Sequence, residues 1–288
     1  MSLEQLVDSL STLGVAHEVR RSGADGALLV LPEFGRVFGI WPHFRAENAL
    51  WVNPGFLSAL QAGVKDDEWS APGGDRVWLF PGSEFLSETG AAPAAVDPGK
   101  YSVSSDRAVV TMTNRGEAYA RRAAAHVRFR ITRRLRPLDE PEIDAACGQT
   151  WLRRSGYQEE LELEVEGACP VPVSLWSIAQ APPGSELSVC QGLSGEERLV
   201  CVQDGDSERA RLLVKSGRAG DGASGYSMTP GGPLAGHRAR PVELALVSAA
   251  LPPGKRRRPL RWSVSLYAFS GRSAEVRQLA ARLAGGAS

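Results

Sequence analysis

The chain has 288 residues, and its 33 lysines and arginines balance its 33 aspartates and glutamates to a formal net charge of zero. A nucleic-acid or membrane-surface partner normally requires a basic surplus, so this balance argues against both. The 43% share of hydrophobic residues is ordinary for a globular protein that buries a core. Because β-sandwiches of roughly 200–250 residues form single domains, we expect one domain over residues 1–288.

The sequence also bears on location and on cysteine chemistry. No apolar run approaches the ~18 residues that a membrane helix needs, and MSLEQLVDSLSTLG lacks the basic start and apolar segment of a signal peptide. We therefore expect a cytoplasmic protein. The four cysteines are far apart, which predicts buried free thiols and neither a zinc cluster nor a disulfide framework. They are Cys147, Cys169, Cys190 and Cys201.

Amphipathic helices are predicted at both ends of the chain. Apolar residues from Leu3 to Leu13 follow the helical period over residues 2–13, and Ser2 with Gln5 resembles a capping box. Residues 273–284 repeat this pattern before Gly285. One further short helix is expected near 139–147.

Between the terminal helices, apolar and polar residues alternate with the period of half-buried strands. The segments HVRFRITRR and RWSVSLYAF show this alternation. We predict strands over 27–31, 36–41, 77–80, 108–113, 126–134, 161–165, 172–179, 197–202, 210–215, 242–247 and 261–269. Turn-rich stretches separate them at 91–100, 182–185, 216–225 and 230–236. This order favours an antiparallel sandwich over βαβ units.

Seven arginines crowd residues 121–136, and five glutamates crowd residues 159–166. One interpretation is a pair of solvated strand faces whose charges pair across the strands. The alternative is a cationic patch for a phosphorylated ligand or an acidic partner. The basic run at 255–258 follows Pro-Pro-Gly, and we interpret it as an exposed hairpin loop.

Several common catalytic motifs are missing. A G-x-G-x-x-G pattern occurs at 220–225, but YSMTPGGP follows it and does not open a helix, so we interpret it as a flexible loop. The phosphate-binding loop, the H-E-x-x-H pair and the G-x-S-x-G elbow are absent. None of the four histidines has a metal-type partner at i+2 or i+4. We therefore expect no cofactor and no metal.

The tryptophans point to a possible ligand class. Four of the seven lie early in the chain, next to turns and charged residues. Flat rings of this kind stack on the C–H faces of sugars, but tryptophans also fill sandwich cores. The fifteen residues APGGDRVWLFPGSEF (71–85) place Asp75, Arg76 and Trp78 beside Gly73-Gly74, where the chain can turn sharply.

The order of short segments resembles one superfamily. ENALWVNP (47–54), GGDRVWLFPGSEF (73–85), VDPGKYSV (96–103), VTMTN (110–114), ITRRLRPLDEP (131–141) and VPVSLWSIAQAPPGS (171–185) follow one another. This order resembles the galactose mutarotase-like superfamily, and within it bacterial members related to aldose 1-epimerases. The resemblance spans about residues 25–270.

The resemblance implies an all-β fold, an antiparallel β-supersandwich with short peripheral helices, and a sugar-sized cleft on one concave face. Asp75, Arg76, Trp78, Trp176 and Gln180 are the ligand-binding residues that it implies. Arg76 would offer donors to hydroxyls, and Trp78 would form a wall. A small-molecule carbohydrate is therefore the expected partner.

The resemblance also raises a question about catalysis. Aldose epimerases use a histidine acid and a glutamate base, but SLWSIAQ has Trp176 and Ser177 where the histidine is expected. His43, Glu84 and Glu243 remain as catalytic candidates. We expect a carbohydrate-binding protein with a possible but atypical epimerase or sugar-modifying activity. The alternative is a non-catalytic scaffold that binds a protein; the sequence leaves the sugar, its phosphorylation and the oligomeric state open.

Overall fold

The computed structural model describes residues 1–62, 72–88, 90–191, 196–204, 208–218, 224–228, 241–255 and 258–285. Their helices are α1 Leu3–Thr12, α2 Pro54–Gln61, α3 Gly82–Phe85, α4 Glu140–Cys147 and α5 Ser273–Gly285. Capping boxes begin α1 at Ser2 and α4 at Asp139, since each cap side chain accepts a backbone hydrogen bond from the third helical residue. The three predicted helices are confirmed.

The strands form two large antiparallel sheets. The first sheet contains β1 Glu18–Ser22, β2 Gly26–Leu31, β3 Arg36–Trp41, β4 Asp75–Phe80, β10 Ser174–Ala181, β15 Val242–Val247 and β14 Ser224–Met228, in that spatial order. The second contains β11 Glu186–Gln191, β12 Glu196–Asp204, β13 Arg209–Arg218, β17 Leu260–Arg272, β8 Arg153–Glu166, β7 Ala125–Pro137, β6 Val110–Ala120 and β5 Tyr101–Ser105. The short β9 Ala168–Cys169 and β16 Gly254–Lys255 pair separately. The predicted antiparallel β-sandwich is confirmed.

The main core lies between the two sheets. Alternate residues of the central strands enter it, among them Val77 of β4, Leu175 of β10 and Leu163 of β8. Three smaller apolar clusters of the described residues lie outside the sandwich, and helices cover two of them. In one, α1 and α2 cover β2 and β3; in the other, α4 and α5 cover β12, β13 and β17. The helices thus cover parts of both outer faces and leave the centre of the first sheet for other side chains.

Four charged side chains lie inside the sandwich, one each on β4, β7, β8 and β13. We call them the buried quartet: Asp75, Arg133, Glu159 and Lys215, each at most 1% exposed. Arg133 Nη2 and Lys215 Nζ each donate to Asp75 at 2.7 Å, and Arg133 Nε donates to Glu159. Burial acts to raise the pKa of Asp75, but the charges of Lys215 and Arg133 outweigh it and hold that pKa below its ordinary value.

The buried quartet corrects the interpretation of the charged strands as wholly solvated. Arg133 and Glu159 belong to the inward phase of β7 and β8, although the next residues along the chain, Arg134 and Glu160, are exposed. Among the outward residues, cross-strand pairing is confirmed: Arg130 pairs with Glu164, and Glu162 accepts from Arg261. These strands therefore carry two sets of charged residues. The exposed set, Arg130, Glu162, Glu164 and Arg261, forms a charge ladder across the strands, and the buried set is Arg133 and Glu159.

Other sequence predictions divide between confirmation and correction. Each predicted strand range overlaps a strand. Cys147, Cys169 and Cys201 are buried free thiols, while the side chain of Cys190 lies outside the described residues.

The turn-rich interpretation of 216–225 is wrong at both ends, because β13 runs to Arg218 and β14 begins at Ser224. Residues 230–236, with Trp69 and His237, lie outside the described ranges. Lys255 of the basic run is in β16, and residues 256–257 also lie outside.

No helix in the described ranges is long and apolar enough to cross a bilayer.

Replacing Lys215 with Met should lower the free energy of unfolding by about 3–5 kcal/mol, because it removes one partner of a fully buried ion pair. Urea unfolding followed by circular dichroism measures this. The matched control is Lys100→Met at an exposed lysine, which should stay within about 0.5 kcal/mol of the wild type. Equal stability of the two variants would contradict the structural role of the quartet.

The same variant has an expected pH dependence. An aspartate whose folded pKa is lowered stabilises the protein above the ordinary aspartate pKa of about 4, and that stability is lost as the pH falls. The difference in free energy of unfolding between the wild type and Lys215→Met should therefore become smaller below about pH 4. An advantage that is constant from pH 7 to pH 3 would be evidence against the Asp75–Lys215 pair.

Candidate functional site

The centre of the outer face of the first sheet carries a cluster of polar and aromatic side chains. Antiparallel register places Trp176 of β10 opposite Trp78 of β4, and Gln180 of β10 opposite Glu243 of β15. Arg76 lies two residues before Trp78 and faces the same side, because side chains alternate along a strand. We call these five residues the outer-face cluster.

A carboxylate with two donors forms the polar half of the cluster. Glu243 Oε1 accepts hydrogen bonds from Arg76 Nη2 at 2.7 Å and from Gln180 Nε2 at 3.0 Å. The guanidinium of Arg76 also lies over the Trp78 ring, 4.3 Å from its centroid. Three strands that are far apart in sequence therefore hold one carboxylate in a fixed orientation.

Aromatic rings form the other half. Trp176 meets Trp78 edge to face with 5.9 Å between ring centroids, and Phe80 meets Trp176 in the same way at 5.8 Å. Ile178 and Val247 pack in the same apolar group. The cluster thus places rigid rings beside a charged hydrogen-bonding group.

Several polar atoms of the cluster have no hydrogen-bond partner among the described residues. They are Nε and Nη1 of Arg76 and Oε1 of Gln180. Arg76 is 6% exposed and Gln180 is 2% exposed. Burying such a group without a partner costs about 1–3 kcal/mol. The outer-face cluster therefore offers two donors and one acceptor that a ligand would satisfy.

A second layer fixes the Trp78 ring. Trp78 Nε1 donates to Asp97 Oδ2 at 3.0 Å, and Arg36 Nη2 lies 2.6 Å from both oxygens of Asp97. Burial lowers the pKa of Arg36, although the charge of Asp97 acts against this shift. Sequence reasoning did not find Arg36 or Asp97. The available signals were a lone arginine at the start of the apolar strand RVFGIW and an Asp-Pro turn.

Asp75 is not part of the outer-face cluster. It was expected beside Arg76 at the ligand, but the structure places it on the opposite face of β4, in the buried quartet. Adjacent residues of a strand point to opposite faces, so Asp75 and Arg76 cannot share one site on this sheet.

His43 and Glu84 also lie apart from the cluster. His43 is in the loop after β3, where its Nδ1 accepts from the Arg45 backbone and its ring lies 4.5 Å from that of Phe44. Glu84 is buried in α3, and its Oε2 accepts from the Arg122 backbone at 2.9 Å. Of the three catalytic candidates, the structure brings only Glu243 to the predicted binding residues.

Two glycines bring the start of β4 close to neighbouring backbone. Gly73 and Gly74 have φ of +97° and +78°, and a Cβ on Gly74 would lie 2.3 Å from the carbonyl oxygen of Val37. Gly74 N donates to the Trp51 carbonyl, and Gln180 N donates to the Gly74 carbonyl at 3.0 Å. These contacts fix the ends of β4 and β10, from which Arg76 and Gln180 extend.

No family model matches the chain, and no curated protein matches it. Among solved structures, the chain is similar to a protein from Escherichia coli K12 described as a "putative aldose 1-epimerase". The TM-score is 0.50 at 10% identity, with 89% of this chain and 99% of that chain covered. It is also similar to the Slr1438 protein from Synechocystis sp. PCC 6803, with a TM-score of 0.45 at 12% identity over 88% and 96% of the two chains. The protein has the galactose mutarotase-like fold, as the order of its segments predicted.

Replacing Gly74 with Ala should destabilise the protein by more than about 2 kcal/mol, because the new methyl group meets the backbone of β3 and the φ is unfavourable for it. Gly14→Ala is the matched control. Its φ is +67°, but a Cβ there meets nothing within 4 Å, so only the cost of the φ, about 1 kcal/mol, should appear. Thermal unfolding of both variants measures the difference; equal losses would show that the close approach to β3 is unimportant.

Proposed function

We propose that the protein binds a carbohydrate at the outer-face cluster. The observation that carries this proposal is the group of buried, unpartnered atoms of Arg76 and Gln180 beside the rings of Trp78 and Trp176. A sugar presents apolar C–H faces and hydroxyl groups on the same small ring. Indole rings suit the first, and the free guanidinium nitrogens and amide oxygen suit the second.

The fold supports the same conclusion by analogy. The Escherichia coli protein with the similar structure is described as a "putative aldose 1-epimerase", and the structural similarity covers 89% of this chain. Because fold alone does not establish function, the outer-face cluster is the main support for this proposal. Glu243 would orient the ligand or accept a proton from a hydroxyl, since Arg76 and Gln180 both donate to one of its oxygens and leave the other for a ligand.

The outer-face cluster lacks a general acid for fast ring opening. Opening a hemiacetal needs an acid and a base within hydrogen-bond reach of the sugar. Glu243 is the carboxylate of the cluster, but its other members are arginine, glutamine and two tryptophans. A guanidinium does not serve as a general acid near neutral pH, and a side-chain amide such as that of Gln180 has no proton to give there. We therefore propose sugar binding without conventional aldose 1-epimerase activity.

Binding should be visible as a change in tryptophan fluorescence when mono- and oligosaccharides are added, and a glycan array identifies the ligands to titrate. Arg76→Gln should weaken the affinity about tenfold or more, because it removes the free donors. Trp78→Phe keeps a ring but loses the bond to Asp97, and should weaken binding less. Arg128→Gln is the control, since Arg128 is exposed on β7. A protein that responds to no saccharide would favour the alternative, a scaffold that binds a protein.

Polarimetry of freshly dissolved α-glucose and α-galactose should give a mutarotation rate close to that of the buffer. A positioned proton donor is worth about 10²–10⁴-fold in rate, and the cluster has none. Rapid mutarotation that Glu243→Gln abolishes would show this expectation to be wrong. Loss of that activity in His43→Ala would further show that His43 reaches the site in solution.

A further inference from the structure

A cavity lies away from the outer-face cluster. It has a volume of about 840 Å³ and is bounded by residues 43–47, the start of β8 and the neighbouring ends of β13 and β17. No residue of the outer-face cluster lines it. The volume falls within the range of about 300–1,000 Å³ that is usual for small-molecule sites.

The lining of this cavity is basic, although the chain as a whole has no net charge. Two glutamates and five arginines contribute to it: Glu47, Glu275, Arg45, Arg153, Arg209, Arg211 and Arg272. Arg211 donates to Glu47, and this hydrogen bond and the arginine charge lower the pKa of Glu47. The excess of arginine makes the cavity a favourable place for an anion.

Two of these arginines are available to a ligand. Arg45 is exposed and stacks on the Phe44 ring, with its guanidinium 5.3 Å from the centroid. Arg272 is exposed, and its side chain makes no hydrogen bond or ion pair within the described part of the chain. Guanidinium groups bind phosphate through paired N–H donors, so these two side chains suit a phosphate group.

Trp151 adds a stacking surface. Its side chain is fully exposed, and it forms part of the wall of this cavity and of a neighbouring cavity of about 730 Å³. Gln203 and Ser270 provide polar side chains in the same lining. A single exposed ring with hydroxyl-binding groups nearby fits a sugar ring, which stacks through one C–H face and presents hydroxyls at its edge.

We propose that this cavity binds a phosphorylated sugar, with the phosphate held by Arg45 and Arg272 and the sugar ring stacked on Trp151. This site is independent of the outer-face cluster. The proposal for the outer-face cluster and the proposal for this cavity can therefore fail separately.

Isothermal titration calorimetry with glucose 6-phosphate, glucose, inorganic phosphate and AMP tests the proposal on the full chain. Glucose 6-phosphate should bind more tightly than inorganic phosphate, and glucose should not bind in the cavity. Arg272→Gln should weaken the affinity for glucose 6-phosphate about tenfold or more. Trp151→Ala should weaken glucose 6-phosphate by a similar factor but leave inorganic phosphate within about twofold, since phosphate makes no stacking contact. Added salt should weaken the binding of both glucose 6-phosphate and inorganic phosphate.

Arg261→Gln is the matched control for charge, because Arg261 is an exposed arginine outside this cavity. It should leave all affinities unchanged, and circular dichroism should show every variant to be folded. No binding of glucose 6-phosphate at millimolar concentration would overturn the proposal. Tighter binding of AMP, equally dependent on Trp151, would also overturn it, because the stacked ring would then be a base. A loss in Arg76→Gln as large as that in Arg272→Gln would assign the ligand to the outer-face cluster instead.

Discussion

The position of β4 depends on the buried quartet, and the outer-face cluster depends on β4. Asp75 is the contribution of the first sheet to the quartet, while Arg133, Glu159 and Lys215 come from the second. The hydrogen bonds to Asp75 therefore join the two sheets through their interior. Because a slip of one residue would exchange the two faces of a strand, holding Asp75 inside also holds Arg76 outside. The ion pairs in the core thus specify which way Arg76 and Trp78 face, and this is a role that an apolar core would fill less selectively.

A second polar arrangement, the pair of Arg36 and Asp97, restrains the Trp78 ring. Arg36 holds Asp97, and Asp97 accepts the indole N–H of Trp78. The ring is thereby fixed at its polar end by a hydrogen bond and at its face by the guanidinium of Arg76. Binding of a ligand on these rings would cost the protein little side-chain entropy, because the groups are already ordered. The sheet register, the interior charges and this outer pair together make the cluster rigid before anything binds.

Much of the fold was predictable from local patterns, but the site was only partly so. The period-two alternation located β7 and β17, and the capping box located α1, since both signals involve neighbouring residues. The resemblance of segment order pointed to Arg76, Trp78, Trp176 and Gln180, which the structure brings together. Arg133 was assigned to a solvated face because of its charge, although its phase matches that of Phe129 and Ile131; its partners on β4 and β8 are distant in sequence. The pairing of Gln180 with Glu243 likewise depends on the register of strands about sixty residues apart, which no local pattern encodes.

The exposed charge ladder on β7, β8 and β17 affects how the molecule meets its own copies. The sign of the charge alternates from strand to strand on the outer face of the second sheet: β7 carries Arg130, β8 carries Glu162 and Glu164, and β17 carries Arg261. A flat sheet surface invites stacking against another sheet, but stacking here would strip water from many charges at once. The ladder therefore acts as a barrier to self-association on this face.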